Sequence, residues 1–284
     1  MMDLLHLIEK VSVLVFLVSS MLVSGLGLTW QLLISPLRQV RLVLLVLGLN
    51  FIVAPALAWL VTMIIPLERG HAIALILLGG AAGAPFFPKL VEKAGGNLAL
   101  AASMMALLTC GTIIFMPLAL PWLIPGLEAD AWSIASPLVL LILLPLVIGL
   151  VIRSCSASSA ARISPLLAKL SSLSLLMLFL LLIALNVPAL LGVLGSGAIL
   201  AGLIYLIGLF IAGWFFSMAE GAARGVLALA IIARNFGAAL VPASNSFNDP
   251  SITVALIVNA ILGIVFSFLA ARWVRSKMTS GSPQ

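Results

Sequence analysis

Gly79-Gly80-Ala81-Ala82-Gly83-Ala84-Pro85-Phe86-Phe87-Pro88-Lys89 lies inside an apolar run long enough to cross a bilayer, yet it cannot form a continuous helix. Pro85 and Pro88 each lack an N–H and clash with a carbonyl one turn back, so no unbroken hydrogen-bond ladder passes through residues 81 to 88. A second apolar run is interrupted in a corresponding place by Ala233-Arg234-Asn235-Phe236-Gly237, about 150 residues further on. Backbone polar groups released at membrane depth persist only where they face protein or a water-filled cavity. The two interruptions are therefore expected to face the interior, as a pair of discontinuous helices.

The rest of the chain supports the membrane reading. Hydrophobic residues make up 64% of the sequence and charged residues 8%, with a mean hydropathy of +1.35. Soluble domains carry about 25% charged residues. Apolar runs of about 20 residues, the length that crosses a bilayer, number nine: about 11–30, 40–65, 71–94 (broken), 97–121, 132–152, 165–187, 196–217, 222–242 (broken) and 250–273. The expected fold class is all-α integral membrane, a single domain over 1–284 with no room for a soluble one.

Net charge is +6, but the basic residues are scattered between spans, which argues against nucleic acid and sets orientation instead. With the N-terminus outside, the inward loops and tail hold Arg38, Arg41, Lys89, Lys93, Arg153, Arg162, Lys169, Arg224, Arg272, Arg275 and Lys277. The outward side holds only Lys10 and Arg69, together with most acids: Asp3, Glu9, Glu68, Glu128, Asp130 and Asp249. This bias points to a cytoplasmic C-terminus, and the expected location is the plasma (inner) membrane. The first run follows an acid-containing start and has no small-x-small cleavage site, so it is read as a membrane helix and not a secretory signal. Cys110 in a span and Cys155 in a loop form no disulfide framework.

Shifting the chain against itself by about 150–155 residues brings spans one to four onto spans six to nine, breaks included. An offset of five spans reverses direction through the membrane. The halves, about 10–121 and about 131–273 with a tail at 274–284, thus read as inverted repeats, the first lacking its opening helix. Paired breaks in such halves are the pattern of a secondary transporter working by alternating access.

Particular residues resemble one family, the bile acid:sodium symporters. Gly25-Leu26-Gly27-Leu28-Thr29 is similar to that family's first-span Gly-x-Gly-Leu-Thr, and the stretch from Asn50 to Trp59 (NFIVAPALAW) to its Gln-Phe-x3-Pro-x2-Ala-Trp. Gly96-Asn97, Ala99-Leu100, Thr109 and Pro117 follow at the family's spacing, and Asn235-x-Gly237 and Asn259 match in the second repeat. The resemblance implies a symporter of organic anions. It also implies sodium sites built from a Ser-Asn pair after the first break, hydroxyls in the next span, and a Glu and a Gln at the second. Here Phe87-Pro88 stands at the Ser-Asn pair, Ala101 and Met105 at the hydroxyls, Ala230 at the Glu and Arg234 at the Gln. Sodium wants several oxygen ligands, and these side chains offer none.

Arg234 lies about ten residues, or about 15 Å of helix, from either surface. A guanidinium there costs about 2.5–3.5 kcal/mol even on mild insertion scales, which marks it as functional. Its fork of donors suits a carboxylate, sulfonate or phosphate on a substrate; the alternative is a bridge to freed carbonyls. Lys89, at the start of a half-helix after Pro88, either deepens an anion site or pairs with Glu92 on the surface. Asn50, Thr109, Thr112, Asn235 and Asn259 are the other polar residues facing the centre, for substrate or for hydrogen bonds between helices. Phe86 and Phe87 would line an aromatic wall or pack the core, while Gly83, Pro85, Pro88 and Gly237 break the helices. His6 and His71 have no ligand-spaced partners, so no metal site is read.

The expected function is secondary transport of a small organic anion. Proton coupling or uncoupled exchange is the alternative to sodium coupling, and a non-transporting receptor or scaffold the remote one. No cofactor is expected beyond a possible sodium ion, and the partners are substrate and membrane lipid. No carboxylate or histidine lies near the middle of a span, so an intramembrane enzyme is not expected.

Overall fold

A computed structural model describes residues 2–34, 39–127, 129–193, 195–216, 222–247 and 249–279. Arg38 and Glu128 lie outside the described residues, and the side chains of Asp3 and His6 are likewise not described. Every regular element among the described residues is helical. In chain order these are α1 (Met2–Leu26), α2 (Trp30–Ile34), α3 (Val40–Gly48), α4 (Ala54–Ile64), α5 (Arg69–Gly80), α6 (Phe87–Lys93), α7 (Leu98–Leu123) and α8 (Ala131–Leu138). They continue as α9 (Leu144–Cys155), α10 (Ala157–Leu185), α11 (Val187–Val193), α12 (Ala198–Phe215), α13 (Ala222–Ile232), α14 (Phe236–Ser246) and α15 (Pro250–Thr279). Eight helical stretches are long and apolar enough to cross a membrane, and α5 is a shorter apolar helix.

Two spans contain a π turn where sequence reading expects plain helix. Pro55 and Pro145 have no N–H to give the carbonyl four residues back, and the ladder slips by one residue just ahead of each. The Ala54 N–H reaches Leu49 O across the π turn Leu49–Val53, which joins α3 to α4. The Leu144 N–H reaches Val139 O across Val139–Leu143, which joins α8 to α9. The first π turn carries Asn50 into the interior.

The run 71–94 resolves into α5 and α6 with residues 81–86 irregular between them, and the run 222–242 into α13 and α14 with residues 233–235 between them. Both breaks fall where the sequence places them. At the other end of the chain α15 continues to Thr279, so residues 274–279, read as tail, are helical.

Helix α1 lies along α9 and α10. Gly25 and Gly149 meet there so closely that a Cβ on either would overlap a backbone carbonyl of the other helix, Leu146 O or Leu22 O. Small residues that let backbones approach are the usual device for helix association in lipid. A second group, α4, α12 and α15, packs around the broken helices. Residues 225–243, which include the second break, are all buried inside the protein, unlike any stretch of that length in the other seven long spans. The second break therefore lies among protein groups, as the hydrogen-bonding constraint demands.

Gly83 sits at the turn of the first break with φ +78°, and a Cβ there would lie 2.6 Å from Thr109 Oγ1 and 2.8 Å from Met105 O. Gly95 has a similar φ of +76° but open space around it. Gly95→Ala is expected to cost only the left-handed strain, about 1–2 kcal/mol, read as a lowered midpoint of thermal unfolding in detergent. Gly83→Ala adds a clash with the backbone of α7 and is expected to lose folded, monodisperse protein. Equal behaviour of the two variants would contradict the tight packing at Gly83.

Candidate functional site

Where α5 ends, the carbonyls of its last turn have no N–H ahead of them. Arg234 supplies the donors. Its Nε donates to Leu78 O (2.9 Å) and Nη2 to Gly79 O (2.6 Å), while Nη1 donates to Asn50 Oδ1 (2.9 Å) and Ile231 O (3.3 Å). Asn235 adds three bonds. Its backbone N–H donates to Ala81 O at 2.9 Å, Nδ2 donates to Gly83 O at 3.1 Å, and Oδ1 accepts from the Ala238 N–H at 3.0 Å, capping α14.

Helix α7 closes the first break from the other side. The Thr112 hydroxyl accepts from the Ala82 N–H (2.8 Å) and donates to Ala82 O (3.1 Å). The Thr109 hydroxyl shares its single proton between Gly83 O (3.1 Å) and Met105 O (2.8 Å). Thus the bridge to freed carbonyls, one of the two readings of Arg234, is present in the structure. The interhelical reading likewise describes Asn50, Thr109, Thr112 and Asn235.

Arg234 also lines a cavity of about 70 Å³ at the crossing. One side is α1 (Phe16, Ser20, Met21) and α10 (Leu175, Phe179); the other is Pro85, Phe86 and the second break, with Tyr205 of α12 and Asn259 of α15. Four N–H groups of Arg234 are used by the bonds above, and the fifth has no hydrogen-bond partner among the described residues. The Tyr205 hydroxyl is buried without a partner among them as well. A cavity of this size takes a few waters. Further along the same seam, toward Glu9, Lys10 and Asp249, a hollow of about 590 Å³ runs between α1, α10, α14 and the start of α15. Gly237 packs so near Leu17 between the two hollows that a Cβ on it would fall 2.6 Å from Leu17 Cδ2. Phe179 and Phe236 meet edge to face across the seam, ring centroids 5.8 Å apart.

The remaining sequence candidates divide. Phe86 lines the cavity, whereas Phe87 is 1% exposed and belongs to the core. Asn259 donates Nδ2 to Ala255 O at 2.9 Å and reaches the cavity wall. Pro88 sits in the first turn of α6. Lys89 is exposed and lines neither hollow, because α6 turns that face outward. Sequence reading passed over Tyr205, although it is the single tyrosine of the chain and the one hydroxyl in its span.

The model of the Sodium Bile acid symporter family matches residues 14–193. The chain belongs to that family. This symporter-family protein is also 26% identical over 233 residues to an Arabidopsis thaliana protein named "Probable sodium/metabolite cotransporter BASS1, chloroplastic". The alignment covers 80% of this chain and 58% of the relative, so the chain spans less than two thirds of that protein's length. The family is one of membrane transporters and not of enzymes. Its match covers the first break and the two threonines of α7, and stops before Tyr205, Arg234, Asn235 and Asn259.

Thr112→Val keeps the shape of the side chain but strands the Ala82 N–H and carbonyl. The expected loss is about 1–3 kcal/mol of stability, measured as a lower unfolding midpoint, with Thr112→Ser close to the parent. Parent-like stability of Thr112→Val would mean that α7 does not hold the break.

Proposed function

We propose that this family member is a secondary active transporter that moves a small amphipathic organic anion by alternating access. The observation that carries the reading is the cavity at the crossing. It has largely apolar walls, yet it keeps one Arg234 N–H and the Tyr205 hydroxyl without partners among the described residues. A guanidinium N–H and a phenol O–H are suited to a carboxylate or sulfonate oxygen, and Phe16, Phe86, Phe179 and Leu206 to the apolar body attached to it. The relative's name, a sodium/metabolite cotransporter, agrees with transport of a small molecule.

In this conformation the cavity is too small for an organic anion, so α1 and α10 must part from the crossing to admit one. The larger hollow is the path from the Glu9 and Asp249 end, and Leu17 with the Phe179–Phe236 pair is the closure between them. We count α5 with α6 as one crossing alongside the eight long spans, which makes nine, and the paired breaks support an arrangement in two inverted halves. Lys93, Arg224 and Lys277 lie over Phe268, Trp214 and Trp273, with ring centroids of Phe210, Trp214 and Trp273 within 6.2 Å of one another. Aromatic and basic residues together at one end of the bundle are what a cytoplasmic membrane interface favours, supporting a plasma-membrane protein with its C-terminus inside.

A test uses a chain carrying Cys110→Ala, Cys155→Ser and Phe86→Cys in sealed vesicles, labelled with a membrane-impermeant maleimide. Transport predicts that the labelling rate shifts several-fold when a panel of amphipathic carboxylates and sulfonates is added. A single fixed rate under every condition would instead identify a static receptor or scaffold.

A further inference from the structure

Arg234 is a permanent cation, since its guanidinium stays protonated at any pH the protein meets. All four of its hydrogen-bond partners are neutral oxygens, three backbone carbonyls and one amide. The carbonyls belong to particular places. Leu78 O and Gly79 O are in the last turn of α5, and Ile231 O is in the last turn of α13. A helix C-terminus carries about half a unit of negative charge, so two converging C-termini present about one unit at a point buried inside the protein. Half-helix ends and unwound carbonyls arranged in this way coordinate coupling cations in discontinuous-helix transporters. Here the chain supplies the cation itself.

We propose that Arg234 is a resident cation: its guanidinium fills the oxygen cage at the crossing, and the protein takes no sodium ion there. The positions at which the family resemblance expects sodium ligands agree: Phe87, Ala101, Met105 and Ala230 are all buried and carry no side-chain oxygen. A cation tethered to the backbone cannot be released on the far side of the membrane, so no gradient of it drives the cycle. Transport, which is the reading proposed above, then runs by exchange or with another ion, in contrast to the sodium coupling that the relative's name states.

The test compares the purified full-length protein with Arg234→Gln, by thermal unfolding in sodium chloride against choline chloride at equal ionic strength. A ligand bound only by the folded state raises the midpoint. The parent is expected to show no difference between the two salts. Arg234→Gln empties the cage and adds an amide oxygen, and its midpoint is expected to be low in choline and to rise by several degrees in sodium. A parent that rises in sodium, or a folded Arg234→Gln that does not respond, overturns the proposal. Arg234→Lys keeps a tethered cation, so if the Gln variant fails to fold, the Lys variant decides the matter: it is expected to fold and to ignore sodium, and a sodium-dependent rise in it overturns the proposal. The readout is ion binding, not flux. Failure here therefore leaves the maleimide result untouched, and a fixed labelling pattern there leaves the resident cation standing.

Discussion

A backbone carbonyl in an apolar medium must find a donor, and most of what is distinctive in this protein follows from two places where the helix cannot provide one. Proline and glycine open the ladder between residues 81 and 86, and a three-residue interruption opens it at 233–235. Neither gap is left to water. The side chains of one break satisfy the carbonyls of the other, and the threonines of α7 take up what remains. Close packing of α4, α12 and α15 around the crossing shields that network from lipid and bulk water, and each bond there is worth more than in water.

The same network gives the site its electrostatic character. Two helix ends of like partial charge would repel if they met alone, and a single guanidinium between them turns the repulsion into cohesion. Arg234 acts as structural bridge and cavity wall together, because a fork with five donors has more bonds to give than the break requires. Tyr205 stands opposite with a hydroxyl that no described protein group engages. Polar capacity left over at the wall of a largely apolar cavity is the chemical basis for proposing a substrate there.

Much of this was legible in the sequence because prolines, glycines and a mid-span arginine are rare enough in apolar helices to carry information. Pro85, Pro88 and Gly83 located the first break, and Asn50, Thr109, Thr112 and Asn235 stood out as polar residues with nowhere else to turn. The family resemblance rested on short stretches around the same residues, and the match over 14–193 covers the part of the chain where most of them lie. Other features had no sequence signal. Arg234 binds backbone carbonyls, which every residue possesses, so its partners could not be named. Pro55 and Pro145 announced a disturbance in their helices, but whether it becomes a kink or a π turn depends on packing. Lys89 looked promising by its place after Pro88, and only the direction in which the short α6 faces removed it from the cavity.

The bond between Arg234 and Gly79 spans 155 residues of chain. A nascent chain emerges N-terminal half first, so α5 is made long before its donors exist. The threonines of α7, at 26 and 30 residues' separation, meet Gly83 and Ala82 early. Leu78, Gly79 and Ala81 must wait for the second half. The first half on its own is thus an unfinished object, with open acceptors at membrane depth that lipid cannot answer. Each break thus completes the hydrogen bonding of the other, and the acceptors at Leu78, Gly79 and Ala81 meet their donors only once synthesis has passed residue 235.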